Sequence, residues 1–149
     1  MKFLDRTEAR KWKISQGLPA ERGGLRNREL FPHRFHIAED EPGKIALVER
    51  LMPRFEGKSG LMTVDDWGVW PSVNLMDDFI FVRRSLGEER HPIECNAHQF
   101  RPSDYPDLLD LVRIAVRSVW DCAIITTRGK VAVYFSHDEI GGASFRVED

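Results

Sequence analysis

The sequence has little cysteine and no long apolar run. Its two cysteines, Cys95 and Cys122, lie far apart and form no CxxC pair, which favours free thiols over a disulfide in a chain without a secretory signal. Its first six residues, MKFLDR, lack the apolar core of a signal peptide. No stretch approaches the ~18 apolar residues of a membrane-spanning helix. We therefore predict a cytoplasmic protein without a membrane partner.

The sequence also lacks the short motifs that mark common reactions. It contains no GxxxxGK[ST] or GxGxxG phosphate-binding loop, no HExxH and no GxSxG. Four potential zinc ligands match no known ligand spacing: His91, Cys95, His98 and Cys122. We therefore predict no cofactor, no metal site and no catalytic residue, and favour a protein that is not an enzyme.

The length and composition indicate one globular domain. A chain of 149 residues has the size of a single domain, and 42% hydrophobic with 31% charged residues is a globular composition. Charge is unevenly distributed, since residues 1–34 carry nine Lys/Arg and four Asp/Glu, against thirteen and twenty in residues 35–149. The basic part could contact nucleic acid or pack against the acidic remainder. We favour packing, because the basic residues are scattered and aromatic stacking partners are few.

Apolar spacing and capping residues predict four helices. They are a helix capped by Asp5 or Thr7 that stops at Gly17, one over 44–52, one from Asn74 to Gly87, and one capped by Asp104 that runs to Val119. Glycines and prolines make residues 17–43 irregular in this prediction. We divide the single domain 1–149 into a basic, partly irregular segment 1–43 and an α/β core 44–149.

The strand signals are shorter. Strands are predicted over 60–64 and 97–101, and the β-branched runs 122–127 and 130–135 form a hairpin around a two-residue Arg128-Gly129 turn. The expected fold is α/β of the α+β type. It has a small mixed sheet of three to four strands with a C-terminal β-hairpin, and helices packed on the sheet.

The segment Trp67-Gly68-Val69-Trp70-Pro71-Ser72 is the most distinctive in the chain. Aromatic rings on a rigid turn make good anchors for a partner, so Trp67, Trp70 and Ser72 are candidate binding residues. The alternative is that both indoles fill the junction between a strand and the following helix.

The segment Ser136-His137-Asp138-Glu139 is the second candidate. In an enzyme, His137 would act as general base or metal ligand, oriented by Asp138 or Glu139. The alternative is a capping box, in which Ser136 caps a final helical turn and the carboxylates favour its N-terminus.

These two segments carry a resemblance. The chain resembles a family of small bacterial proteins of uncharacterised function that share a Trp-Gly-[Ile/Val]-Trp-Pro-Ser turn and a Ser-His-Asp-Glu segment. The matching positions are Trp67, Gly68, Trp70, Pro71 and Ser72, with residues 136–139, and the likeness covers residues 44–140. It implies a bacterial cytoplasmic setting and a shared fold, and no reaction.

Three functions follow, in order of preference. The first is a module that binds another protein, in an immunity-like or regulatory role, because an acidic domain with an aromatic turn suits a basic partner. The second is a small hydrolase that uses His137 with Asp138 or Glu139. The third is nucleic-acid binding through the basic N-terminal segment.

Overall fold

The computed structural model describes residues 1–19, 27–65 and 75–148. Within them the strands form one antiparallel seven-stranded sheet in the order β1-β4-β3-β5-β6-β7-β2. The strands are β1 (Lys2–Leu4), β2 (His33–His36), β3 (Gly60–Asp65), β4 (Ala97–Phe100), β5 (Asp121–Thr126), β6 (Ala132–Phe135) and β7 (Ile140–Ala143).

Four α-helices in the same described part cover the sheet. They are α1 (Arg6–Ser15), α2 (Glu41–Leu51), α3 (Met76–Ser85) and α4 (Tyr105–Arg117). A reciprocal capping box starts α1, because the Asp5 carboxylate accepts from the Glu8 N–H and the Glu8 carboxylate accepts from the Asp5 N–H. At the start of α2, Asp40 accepts from the Gly43 N–H and proline occupies the first turn. None of the helices in the described ranges is long and apolar enough to cross a membrane.

Alternation along the strands separates two apolar faces. Met62 and Val64 of β3 lie in the main core with α2, α3 and α4, whereas Leu61 packs on the opposite face with α1. In the main core the Trp120 indole meets the Phe79 ring edge to face, with centroids 5.4 Å apart. The α2, α3 and α4 layer therefore closes one side of the sheet.

The α+β class is confirmed, but the predicted sheet was too small. The described strands number seven rather than three or four, and all pair antiparallel rather than in a mixed sheet. The added strands β1, β2 and β7 have only three or four residues each. β1 and β2 pair with strands far along the chain, as Phe35 of β2 does with Gly141. A Cβ at Gly141 would overlap the Phe35 ring, so glycine permits this close approach.

The N-terminal part of the chain is more regular than its composition indicates. Helix α2 begins at Glu41 rather than at Lys44, because Asp40 supplies the cap. The boundary drawn between residues 43 and 44 therefore falls inside α2, and β1 and β2 are strands of the common sheet.

The hairpin of β5 and β6 is confirmed in its predicted register. The Thr126 N–H donates to the Val131 carbonyl. The connection is longer than the predicted two-residue turn, because a 3-10 turn over Thr127–Gly129, in which Arg128 and Gly129 have positive φ, joins the strands. The hairpin is not C-terminal, however, because β7 follows it. The final helical turn predicted after Ser136 is wrong for the same reason: a tight turn leads directly into β7.

Candidate functional site

A cleft of about 390 Å³ opens at one end of the sheet. It lies between the β6–β7 turn, the C-terminal end of α4 and the loop from β2 to α2. Apolar side chains form one part of its lining: Ile37, Val116, Val119, Trp120 and Phe135. Polar and charged residues form the other part: Glu39, Lys44, Ser136, His137, Asp138 and Glu139. Three predicted site residues, His137, Asp138 and Glu139, thus share one concave surface.

Residues 136–139 form a compact turn rather than a capping box. The Ser136 N–H donates to the Ile140 carbonyl over 3.2 Å, which closes the turn. The Ser136 hydroxyl accepts from the Asp138 N–H, also over 3.2 Å. The Ser136 side chain therefore stabilises this turn instead of a helix N-terminus.

The carboxylate that orients His137 is Asp121, not Asp138 or Glu139. Asp121 Oδ1 lies 2.7 Å from both the backbone N and the Nδ1 of His137, and Oδ2 accepts from the Tyr134 hydroxyl over 2.7 Å. This geometry assigns the ring proton to Nδ1 in the neutral imidazole. Asp138 instead approaches Nε2, at 3.3 Å. The His137 side chain is 25% exposed and the Asp121 side chain only 12%, so the acid lies beneath the histidine.

Two residues that line the cleft have left-handed backbones. Val119 has φ 58° and Glu139 has φ 62°. Such angles are disfavoured for side chains with a Cβ, most of all for a β-branched valine. Val119 follows α4, at a place where glycine is the common choice. Strain of this kind persists only when the surrounding structure enforces it, and it clusters at functional sites.

Beside Asp121, the end of β3 carries a second carboxylate. Asp65 is the direct partner of Asp121 in the β3–β5 register, and it contacts Arg6 at 3.4 Å and the Asn96 amide at 3.1 Å. Burial raises the pKa of Asp65 despite the nearby Arg6 charge, and burial lowers the pKa of Lys13, which lies close to Asp65. Two basic residues of α1 are thus directed towards an acidic strand end.

The remaining predicted residues fall elsewhere. Trp67, Trp70 and Ser72 lie outside the described residues. Among the zinc candidates, Cys95 and Cys122 are buried, and burial raises the pKa of Cys95 to about 11 and that of Cys122 still further. Over the described ranges, His, Cys, Asp and Glu form no group of three or more that could hold a metal ion.

His98 has a different role in the interior. Its Nε2 lies 2.8 Å from Nη1 of Arg83, and both side chains are buried. Burial, followed by the adjacent Arg83 charge, lowers the pKa of His98 to about 3. His98 is therefore a neutral acceptor for a buried guanidinium.

Sequence reasoning missed Asp121, although a signal for it exists. The predicted turn at Arg128-Gly129 pairs residue 122 with 135, as observed, and so places Asp121 opposite Ser136. Asp121 begins an apolar strand, and this register brings it next to His137 on the neighbouring strand end. An acid and a histidine placed in this way are a candidate hydrogen-bonded pair. Adjacency along the chain drew attention to Asp138 and Glu139 instead.

Comparison of the chain with protein-family models, with curated proteins and with solved structures gives no match. Its function is therefore inferred from the geometry of its own residues.

Proposed function

We propose that this chain is a protein-binding module, in an immunity-like or regulatory role, that takes an arginine or lysine side chain of its partner into the cleft. One observation carries the proposal: among the described residues, the cleft combines an apolar wall with three carboxylates, Glu39, Asp138 and Glu139, against a single ammonium, Lys44.

This combination suits an amphipathic cationic side chain. The methylenes of an arginine or lysine pack on apolar surface while the charged end stays with acceptors at the rim. Carboxylates accept paired hydrogen bonds from a guanidinium, which gives direction as well as attraction. Lys44 donates to the backbone carbonyl of Glu39 over 2.6 Å, so part of its charge is engaged within the rim.

The backbone of the cleft supports the same proposal. Glu139 is exposed, so its left-handed conformation is not explained by burial of its side chain. A glycine would adopt that conformation with less strain. Retaining an acid there is consistent with use of the carboxylate for binding.

The test uses small probes of opposite charge. Acetyl-arginine amide is titrated into the labelled protein and followed by backbone amide NMR, with acetyl-glutamate amide as the matched probe. We expect saturable shifts confined to the cleft, with Kd on the order of 1 mM, an affinity typical of one isolated side chain. Equal shifts with both probes, or shifts spread over the surface, would contradict the proposal.

A variant pair then tests the partner. Asp138→Asn with Glu139→Gln neutralises two rim acids, and Glu94→Gln removes an exposed acid outside the cleft. A protein captured by the wild type and by Glu94→Gln, but not by the rim variant, is the predicted partner. A captured protein that binds the rim variant as well as it binds the wild type would occupy a surface outside the cleft.

The second candidate function is acid–base catalysis by a small hydrolase, and the contact between Asp121 and His137 favours it. A buried carboxylate on Nδ1 orients the imidazole and stabilises its protonated form, so that Nε2 can accept a proton from an attacking water or hydroxyl. This keeps His137 as the base and replaces Asp138 or Glu139 by Asp121 as the orienting acid.

The catalytic candidate has its own test. Ester, phosphoester and nucleotide substrates are screened with the wild type, His137→Gln and Asp121→Asn. A hydrolase that uses this pair would lose about 100-fold or more in kcat with His137→Gln, the contribution typical of a general base. Turnover that persists in His137→Gln would end this candidate.

The third candidate, nucleic-acid binding through the basic segment, has less support. The placement of Arg6 and Lys13 near Asp65 favours packing of this segment against an acidic strand end. Deleting residues 1–34 would disrupt β1 and β2, so charge-neutral variants at exposed positions such as Lys11 are the better test. The cytoplasmic location and the resemblance to a bacterial family of uncharacterised function remain proposals.

A further inference from the structure

A second cavity, of about 460 Å³, lies at the opposite end of the central strands. The cleft adjoins the start of β5 at Asp121, whereas this cavity adjoins the end of β5 and the residues before β3. Six residues of the described ranges line it, three cationic and three bearing hydroxyls: Lys58, Arg128, Lys130, Ser59, Thr126 and Thr127. We call it the basic cavity.

The cations of this cavity differ in their partners from several arginines elsewhere in the described ranges. Six arginines elsewhere in the described ranges have a carboxylate partner within 4 Å: Arg6, Arg84, Arg90, Arg101, Arg113 and Arg117. In the same ranges, Lys58, Arg128 and Lys130 have no such partner, and no carboxylate lines the cavity. Three cations that line one cavity raise its local positive potential, which a bound anion would lower.

The loop that presents Arg128 is held in place. The Arg128 N–H donates to the Gln16 side chain over 3.2 Å, which ties the β5–β6 turn to the residues after α1. Thr127 donates to the Ser59 carbonyl through its N–H at 2.9 Å and through its hydroxyl at 3.1 Å. The cavity walls are thus joined by hydrogen bonds before any ligand arrives, which lowers the entropic cost of binding.

Arg128 is also an unusual residue for its position. The turn between β5 and β6 places it at φ 60°, in the left-handed region where glycine, asparagine and aspartate are preferred. An asparagine would fit this backbone with less strain and an aspartate would as well. A long cation at such a position is therefore costly for the turn and is consistent with selection for its charge.

We propose that the basic cavity binds a small molecule that carries two or more phosphoryl groups. Phosphate oxygens match guanidinium and ammonium donors, and several phosphoryl charges balance three cations. The Ser59 hydroxyl can also donate to a phosphate, whereas the Thr126 and Thr127 hydroxyls already donate to the backbone carbonyls of Val131 and Ser59. The volume is within the usual range of small-ligand sites, ~300–1,000 Å³. An extended polyanion is less suited, because residues 35–149 carry twenty acids against thirteen Lys/Arg and would repel it beyond the cavity.

The test measures pyrophosphate binding by isothermal titration calorimetry at low salt. We compare the wild type with Arg128→Asn, which removes the cation but suits the left-handed backbone, and with Lys58→Gln. The control is Lys11→Gln, an exposed lysine of α1 that does not line the cavity. Thermal unfolding of each variant shows whether the fold is retained.

We expect one saturable site whose Kd for pyrophosphate rises at least about tenfold in Arg128→Asn and in Lys58→Gln and is unchanged in Lys11→Gln. We also expect Arg128→Asn to unfold at the wild-type temperature or above. Absence of saturable binding, or equal weakening in Lys11→Gln, would overturn the proposal. Tighter binding of a single-stranded oligonucleotide than of pyrophosphate through the same residues would also overturn it, in favour of a nucleic-acid site.

Discussion

Replacing Asp121 by alanine tests whether this carboxylate organises the β6–β7 turn. Asp121 accepts from the Tyr134 hydroxyl and from the backbone and ring nitrogens of His137, each over 2.7 Å. Asp138→Ala is the matched control. It removes the neighbouring acid, which is 70% exposed and lies 3.3 Å from the other nitrogen of His137.

The expected magnitude follows from the donors that lose their acceptor. A hydrogen bond to a charged group contributes roughly 1.5–3 kcal/mol, but the three share one carboxylate and are not additive. The desolvation cost of burying the Asp121 carboxylate offsets part of the free energy of these hydrogen bonds. In the variant, water can also reach the His137 side chain, which is one-quarter exposed. We therefore expect Asp121→Ala to lower the free energy of unfolding by about 3 kcal/mol. Asp138→Ala should change it by less than about 0.5 kcal/mol.

Urea unfolding followed by circular dichroism measures both changes. A loss of 3 kcal/mol corresponds to a fall in Tm of about 6–12 °C for a domain of this size. An unchanged slope against urea would show that the loss belongs to the folded state. Equal effects of the two variants would refute the reasoning, because the turn would then not depend on the buried acid.

Three further changes test other features of the molecule. Glu139→Gly relieves the backbone strain of an exposed residue with left-handed φ. Urea unfolding should therefore show a free energy of unfolding that is unchanged or raised by up to about 1 kcal/mol. A clear loss of stability would contradict the strain argument. Hydrogen bonds from Arg90 lower the pKa of Glu88 from 4.5 to about 2, so this pair stabilises the fold above pH 4.5 and less as the pH falls towards 2. Glu88→Gln should flatten the dependence of stability on pH across that window, and an unchanged profile would exclude the pair as its source. Gly141→Ala should destabilise the pairing of β2 with β7, because its Cβ would overlap the Phe35 ring. Amide hydrogen exchange should therefore become faster first in β2. Unchanged protection of the β2 amides would be inconsistent with the close approach of Gly141 to Phe35.

The sequence predicted those elements whose signals are local. The α1 cap, predicted at Asp5 or Thr7 and found at Asp5, and the register of the β5–β6 hairpin depend on residues only a few positions apart. Helix α4 has its predicted N-cap residue, Asp104, but the carboxylate accepts from the Arg101 N–H instead of capping α4. The capping of α4 thus depends on the turn that precedes the helix, and the apolar spacing of the helix does not predict that turn.

The sheet was underestimated because its edge strands carry too little information. β1 and β2 have three and four residues, too few for a clear alternation of apolar and polar side chains. Their pairing, with β4 and β7, joins residues roughly a hundred positions apart. Such partners become neighbours only after the central strands and helices have packed.

The candidate site divides in the same way. The chemical groups at residues 136–139 and at the β5–β6 turn could be read from the chain, since motif and turn preference are properties of short segments. The folded molecule was needed to show that Asp121, rather than Asp138 or Glu139, orients His137. It was also needed to show that Lys58 lies with Arg128 and Lys130 in one cavity. The hairpin register places Asp121 opposite Ser136 but does not fix which carboxylate meets the His137 ring. Lys58 comes from a different part of the chain, and its position beside the β5–β6 turn follows from the pairing of β3 with β5, which no local pattern specifies.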